Sequence, residues 1–229
     1  MKRDLQTQRH LLITIDGPAG AGKTSVSRKL AQALGYRYID TGALYRAIAL
    51  AVSETGVAAD DDASLESLCA GLDLEFSVGD HGLRLMLNGR DVTELIRSPR
   101  ITMLASAISA RPVVRRHLLA VQRNLGAAKQ AVFEGRDMGT VVFPDADVKF
   151  YLYADPSIRA RRRFEELNAK GGTTPSLESV EQDMVQRDRD DSSRQSAPLK
   201  PAPDAIHIDS STLGIDGVVA LMLEHIVDC

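Results

Sequence analysis

Apolar positions along this chain follow two periods. Short apolar runs occur at 11–16 (Leu11-Leu12-Ile13-Thr14-Ile15-Asp16), 36–40, 130–134, 147–153 and 205–209, and runs of that length suit strands covered on both faces. Between them the spacing turns helical. Val26, Leu30 and Leu34 share one face before Gly35 stops the helix, and Ile215, Val218, Val219, Met222 and Ile226 form a closing helix. This alternation predicts an α/β core, a five-stranded parallel sheet flanked by helices.

Two segments exceed what such a core needs. Residues 41–129 are far longer than one crossover helix, so a subdomain is inserted there. Within it Leu72–Ser77 and Leu83–Leu87 alternate around the turn-rich Val78-Gly79-Asp80-His81-Gly82, and Asn88-Gly89 follows, which predicts an antiparallel hairpin. The second excursion is charged: Arg159, Arg161, Arg162 and Arg163, then Arg187-Asp188-Arg189-Asp190-Asp191, with Gly171-Gly172-Thr173-Thr174-Pro175 as a hinge between two helices. It reads as a lid. The expected organisation is one domain, with a core over about 1–40, 111–155 and 200–229, an insert over 41–110 and a lid over 156–199.

With 229 residues, 44% of them hydrophobic, the chain holds one substantial core plus excursions. A net charge of -3 provides no global basic field, so no nucleic acid partner is expected and any positive site must be locally focused. Cys69 and Cys229 match no metal spacing and read as reduced thiols. The polar start, followed by an apolar run that ends at Asp16, suits neither a signal segment nor a membrane span. The expectation is a soluble cytoplasmic protein, and a monomer, since no long exposed apolar helix asks for a partner.

Gly17-Pro18-Ala19-Gly20-Ala21-Gly22-Lys23-Thr24 fits the phosphate-loop pattern G-x-x-x-x-G-K-[ST], between a strand and a helix start where that loop must sit. The expected ligand is a nucleoside triphosphate: backbone N–H groups close around phosphate oxygens, Lys23 supplies charge and the Thr24 hydroxyl can ligate Mg²⁺. Asp40-Thr41-Gly42-Ala43-Leu44-Tyr45-Arg46 follows the second strand at the sheet edge where ligands bind, with Gly42 expected in left-handed geometry. Glu134-Gly135-Arg136-Asp137-Met138-Gly139-Thr140 follows the third; Arg136 suits a phosphate and Asp137 a base or sugar donor. The lid arginines read either as a solvated helix face or as groups that close over a phosphoryl group and exclude water.

In this order GPAGAGKTS, DTGALYRA, the hairpin-bearing insert, GRDMGTVVFPDA and RDRDDSSRQSAPL closely resemble bacterial cytidylate kinases over nearly the whole chain. The last three features separate that family from adenylate and guanylate kinases. The resemblance implies a nucleoside monophosphate kinase fold and transfer from ATP, with Mg²⁺, to CMP or dCMP. It also implies that Gly17 to Ser25 hold the ATP phosphates and that Arg46, Arg136 and Arg194 clamp the CMP phosphate. Ser106, Arg115 and Asp137 resemble the cytosine-reading set, with Ser109 or Arg116 as alternatives through the less distinctive LASAISARPVVRR. Arg187 and Asp191 resemble the ribose contacts, and Thr41 and Tyr45 line the pocket. Lys23, Arg136 and Arg194, with Arg159 and Arg163 from the lid, form the expected catalytic set. The base chemistry agrees: cytosine offers an N4 donor to a carboxylate and N3/O2 acceptors to an arginine, whereas uracil offers the carboxylate an acceptor. A phosphate-loop regulatory switch would need an N-K-x-D guanine motif, which the sequence lacks, and shikimate kinases lack the hairpin insert.

Overall fold

The computed structural model describes residues 10–79, 82–169 and 175–227. Asp80, His81, Gly171–Thr174 and Cys229, named in the expectations above, lie outside them. Five parallel strands form the main sheet: β1 (Leu12–Asp16), β2 (Arg37–Asp40), β6 (Ala131–Gly135), β7 (Val148–Tyr153) and β8 (Ile206–Asp209). Their order is β2-β6-β1-β7-β8, and each starts one residue after the position expected from its apolar run. β1 lies in the middle and is buried throughout, so the loop that follows it emerges at the centre of the sheet edge.

Helix α1 (Lys23–Leu34) begins after Gly22 (φ 88°) and ends at Gly35, whose left-handed backbone (φ 69°) returns its N–H to Ala31 and Gln32. With α8 (Ile215–Val227) it covers one face of the sheet, where Val26, Leu30, Val218 and Met222 meet Ile13, Ile15, Phe150 and Leu152. This cluster holds the strand ends rigidly below the site.

The insert folds as α2 (Thr41–Thr55), α3 (Asp62–Ala70), a three-stranded antiparallel sheet β3 (Leu74–Gly79), β4 (Gly82–Leu87) and β5 (Arg90–Asp91), then α4 (Pro99–Ile108). The hairpin pairs as expected, but β3 starts two residues late because Leu72 still donates to Cys69 at the end of α3. Asn88 and Gly89 both have positive φ (51° and 75°), the two-residue turn that joins β4 to the short β5. The helix α5 (Pro112–Gly126) returns the chain to β6, and one apolar cluster runs from Ala43 and Leu65 through Leu85 and Ile108 to Val114 and Leu118. Packing is therefore continuous across the expected boundary at 110/111.

The lid consists of α6 (Pro156–Ala169) and α7 (Leu177–Ser193). Ala160, Val180 and Met184 pack together and against Ala19. Among the described residues no helix is long and apolar enough to cross a membrane, and Cys69 is a buried free thiol.

Candidate active site

The phosphate loop has the shape that its glycines dictate. A Cβ on Gly17 (φ 148°) would lie 1.9 Å from the Leu152 carbonyl oxygen, and one on Gly20 (φ 73°) would lie 2.7 Å from the Met184 methyl. Three loop carbonyls are held by protein donors: Pro18 by the Lys23 ammonium at 2.7 Å, Ala19 by Arg159 at 3.0 Å and Ala21 by the Ser210 hydroxyl at 2.9 Å. Among the described residues no peptide is cis, so the N–H that follows each of these carbonyls points the opposite way, away from those donors. That is a cradle of amides for an anion.

Lys23 is 8% exposed, and burial followed by the nearby Arg136 guanidinium holds its ammonium well below the usual lysine range, with Glu134 and Asp16 opposing. The Thr24 hydroxyl donates to Glu134 Oε1 at 2.9 Å, and the Tyr38 hydroxyl lies near the same carboxylate, whose buried Oε2 makes no close hydrogen bond. Burial, then repulsion from Asp40, raises the Glu134 carboxyl to about 7. Ser25 is exposed at the head of α1.

The segments 40–46 and 134–140 are brought together, with the Thr41 hydroxyl on the Glu134 carbonyl. Asp40 caps α2 by accepting the Ala43 N–H at 3.1 Å, and it pairs with Arg46 at 2.7 Å. Gly42 is helical, not left-handed as expected; a Cβ there would stand 3.1 Å from both Arg46 Nη1 and Asp40 Oδ1, so the close Asp40–Arg46 pair would have to shift by a few tenths of an ångström to admit one. The Thr41 hydroxyl donates to the Glu134 carbonyl at 2.7 Å, tying α2 to β6. Asp137, 3% exposed, forms an ion pair with Arg115, whose guanidinium also donates to the Ser109 carbonyl at 3.1 Å and lies 5.7 Å over the Tyr45 ring. Burial raises the Asp137 carboxyl despite Arg115. Arg116 faces out toward Glu66 at 3.4 Å, so of the two adjacent arginines the structure brings Arg115 to Asp137. Ser106 contributes its carbonyl to the Ser109 hydroxyl at 2.8 Å.

Asp191, 2% exposed, holds Arg136 at 2.9 Å and also pairs with Arg194. These two guanidinium groups keep its carboxyl below the usual range despite burial. Arg187 lies in the same cluster with an unpartnered buried Nε, and burial together with Arg136 lowers it to about 10. Three cations, Lys23, Arg136 and Arg187, thus influence one another in a poorly solvated space, which favours a polyanion.

Arg159 and Arg163, the other two lid arginines of the expected catalytic set, are placed differently. Arg159 is 6% exposed and fully engaged, by the Ala154 carbonyl (3.0 Å), the Ala19 carbonyl (3.0 Å) and Asp188 (2.6 Å). It is a strut that seats the lid on the phosphate loop. Arg163 pairs with Glu166 at 2.8 Å on the outer part of α6.

The sequence reading passed over the carboxylates that organise these groups. Asp16 ends β1, Asp40 ends β2 and Glu134 is the penultimate residue of β6. An acid at the carboxyl end of each of three neighbouring strands was the available signal. Asp16 accepts the Met138 and Gly139 N–H groups at 2.9 and 2.7 Å, and burial raises its carboxyl to about 6.

A phosphate loop at the centre of a parallel sheet, faced by an arginine cluster and covered by a helical lid, defines a phosphate-loop kinase. An uncharacterized protein from Eubacterium ventriosum shares the fold at 12% identity, with a TM-score of 0.54 over 96% of this chain and 99% of that one. The cytidylate kinase family model matches residues 13–228, and the chain belongs to that family of ATP-dependent transferases. It is 50% identical over 212 residues to a cytidylate kinase of Geobacter sp. (strain M21), covering 93% of this chain and 91% of that protein. It is also 50% identical over 215 residues to one of Geobacter sulfurreducens, covering 94% and 92%.

Proposed function

We propose that the chain transfers the γ-phosphoryl group of ATP to CMP or dCMP, giving ADP and CDP or dCDP. The observation that carries this reading is the buried Arg115–Asp137 pair, with Asp137 at the turn that follows β6. Its carboxylate complements the cytosine N4 amino group and its guanidinium the N3/O2 edge, with Tyr45 beneath and the Ser106–Ser109 turn behind.

Arg46, Arg136 and Arg194 stand on carboxylates that the acceptor phosphate can replace as partner, Asp40 for the first and Asp191 for the other two. The ribose then lies beside Arg187 and Asp191. The amides of Gly17 to Ser25 hold the donor phosphates, and Lys23 swings from the Pro18 carbonyl to the phosphate oxygens as charge develops there. Arg187, unpartnered at Nε beside Lys23, is the lid arginine best placed for the transferred group, while Arg159 keeps the lid shut and Arg163 screens its rim. The lid over 156–199 and the insert over 41–110 are the moving parts that exclude water.

The residues present fit a magnesium ion. Thr24 and Glu134 supply hard oxygen donors, and the buried Glu134 Oε2 makes no close hydrogen bond. Among the described residues no three His, Cys, Asp or Glu side chains cluster as metal ligands, so the fit rests on Thr24 and Glu134. When bound it neutralises phosphate charge and aligns the β and γ groups. The reading takes the monomer as the active unit, working in the cytoplasm where its substrates are.

A coupled assay of ADP release with ATP and Mg²⁺ across CMP, dCMP, UMP, AMP and GMP tests the reading. CMP and dCMP should be turned over best; faster turnover of AMP or GMP would overturn it.

A further inference from the structure

Asp16 has no part in the roles assigned so far, yet it sits where the two nucleotide sites meet. It is the last residue of β1, 4% exposed, and directly precedes Gly17 of the phosphate loop. Its two carboxylate oxygens accept one bond each, Oδ1 from the Met138 N–H at 2.9 Å and Oδ2 from the Gly139 N–H at 2.7 Å. Those residues open a π turn over Met138–Val142, and the residue that leads into the turn is Asp137. We propose that Asp16 is a positioning residue that aims Asp137 at the acceptor base, tying the base reader to the strand that carries the donor's phosphate loop. The inference rests on Asp137 as the cytosine contact.

The Asp137 backbone (φ −142°, ψ 21°) is neither helix nor strand, and its carbonyl accepts the Val141 and Val142 N–H groups at 2.9 and 3.2 Å. Its side-chain direction therefore depends on the turn that follows, and π turns of this kind recur where a side chain must be re-aimed. Asp16 pulls on the first two amides of that turn. From the other side Gly139 is backed so closely by the Thr14 hydroxyl and the Lys149 stem that a Cβ would stand 3.1 and 3.2 Å from them. The turn is gripped between these contacts, and a carboxylate is a stronger acceptor for paired amides than a neutral group.

Asp16 acts on the phosphate loop only through its charge beside Lys23; its carboxylate hydrogen bonds all go to the Asp137 turn. The loop's carbonyls are held by Lys23, Arg159 and Ser210. Loss of the Asp16 clamp should reach cytosine recognition before it reaches ATP.

The test is Asp16→Asn, which keeps the shape but turns an amide donor toward one of the two N–H groups. kcat and KM for CMP and UMP are measured, together with the Kd of a non-hydrolysable ATP analogue without acceptor. KM for CMP should rise about tenfold or more and the preference for CMP over UMP should shrink, while the analogue's Kd stays within about threefold. Placed on Asp137→Asn, the same change should add little further loss for CMP, because both act on one contact. Unchanged CMP kinetics and preference would overturn the proposal. So would analogue affinity that falls in step with CMP, which would mean that Asp16 only keeps the strand end folded. Should Asp16→Asn not fold, Gly139→Ala displaces the same turn from its other side; a CMP-selective loss supports the proposal and no change overturns it. If Asp137→Asn alone leaves the base preference intact, the cytosine reading falls and this one with it. An effective Asp137→Asn beside a silent Asp16→Asn overturns this one alone.

Discussion

Replacing Asp137 with Asn removes one charge without changing the volume of a side chain that is 3% exposed. The fold and the specificity should both respond, by amounts that the structure bounds. In the fold, Arg115, with 10% of its side chain exposed, loses its ion-pair partner and keeps only the Ser109 carbonyl at 3.1 Å and the face of Tyr45. Breaking a buried pair costs about 3–5 kcal/mol. Asn still offers an amide oxygen, and burial already works against the charged carboxylate, so a loss near about 2–3 kcal/mol is expected. For a chain of this length that is a fall in Tm of roughly 5–10 °C. In recognition, an Asn can present either its oxygen or its nitrogen to the base edge. The advantage of cytosine over uracil should shrink by about 1–3 kcal/mol, or roughly 5- to 150-fold in the ratio of kcat/KM values. The assay compares CMP and UMP for wild type, Asp137→Asn and Arg116→Ala, the last altering an exposed arginine that faces Glu66. An unchanged ratio in Asp137→Asn, or an equal change in Arg116→Ala, would refute the reasoning.

Other consequences can be measured as directly. Lys23→Ala should lower kcat by about two to three orders of magnitude with Tm nearly intact, since the ammonium is buried beside Arg136 and its charge adds little to the fold; near-normal turnover would contradict its role. Gly17→Ala should prevent stable folding, because its Cβ would collide with the Leu152 backbone at 1.9 Å, whereas Gly22→Ala, with open space at φ 88°, should cost only about 1–2 kcal/mol. Equal effects in urea melts would refute that distinction. Asp16, surrounded by Lys23, Asp137 and Tyr151, is raised by burial from its ordinary 3.8 to about 6. Its contribution is therefore complete below about pH 4 and is lost as pH rises through 6. The stability of wild type relative to Asp16→Asn should fall by about 3 kcal/mol between pH 4 and 7, and a difference that is flat or grows would reverse the sign of this argument.

Much of this molecule is visible in its sequence because local signals and tertiary context agree. Each apolar run became a strand of the main sheet, Gly35 ended its helix, and Asn88-Gly89 made its turn. The phosphate loop was legible because its glycines answer a backbone requirement that no other residue meets. What was hidden depends on pairing between distant segments. Nothing local shows that Arg115 rather than Arg116 turns inward; that follows from where α5 rests on the insert. Arg159 and Arg163 are alike in sequence, yet one is buried on the Ala19 carbonyl and the other lies beside Glu166. The π turn after Asp137 carries no familiar signature, and its first two amides are held by Asp16 from a distant strand.

The central claim is that donor and acceptor lie end to end between the amides of the phosphate loop and the arginines on Asp40 and Asp191. A crystal structure with CMP, Mg²⁺ and a non-hydrolysable ATP analogue tests it most directly. The cytosine edge should lie against Asp137 and Arg115, the acceptor phosphate on Arg46, Arg136 and Arg194, and an acceptor oxygen in line with the donor's terminal phosphorus. An acceptor bound elsewhere, or held with its base at those arginines and its phosphate at Asp137, would contradict it.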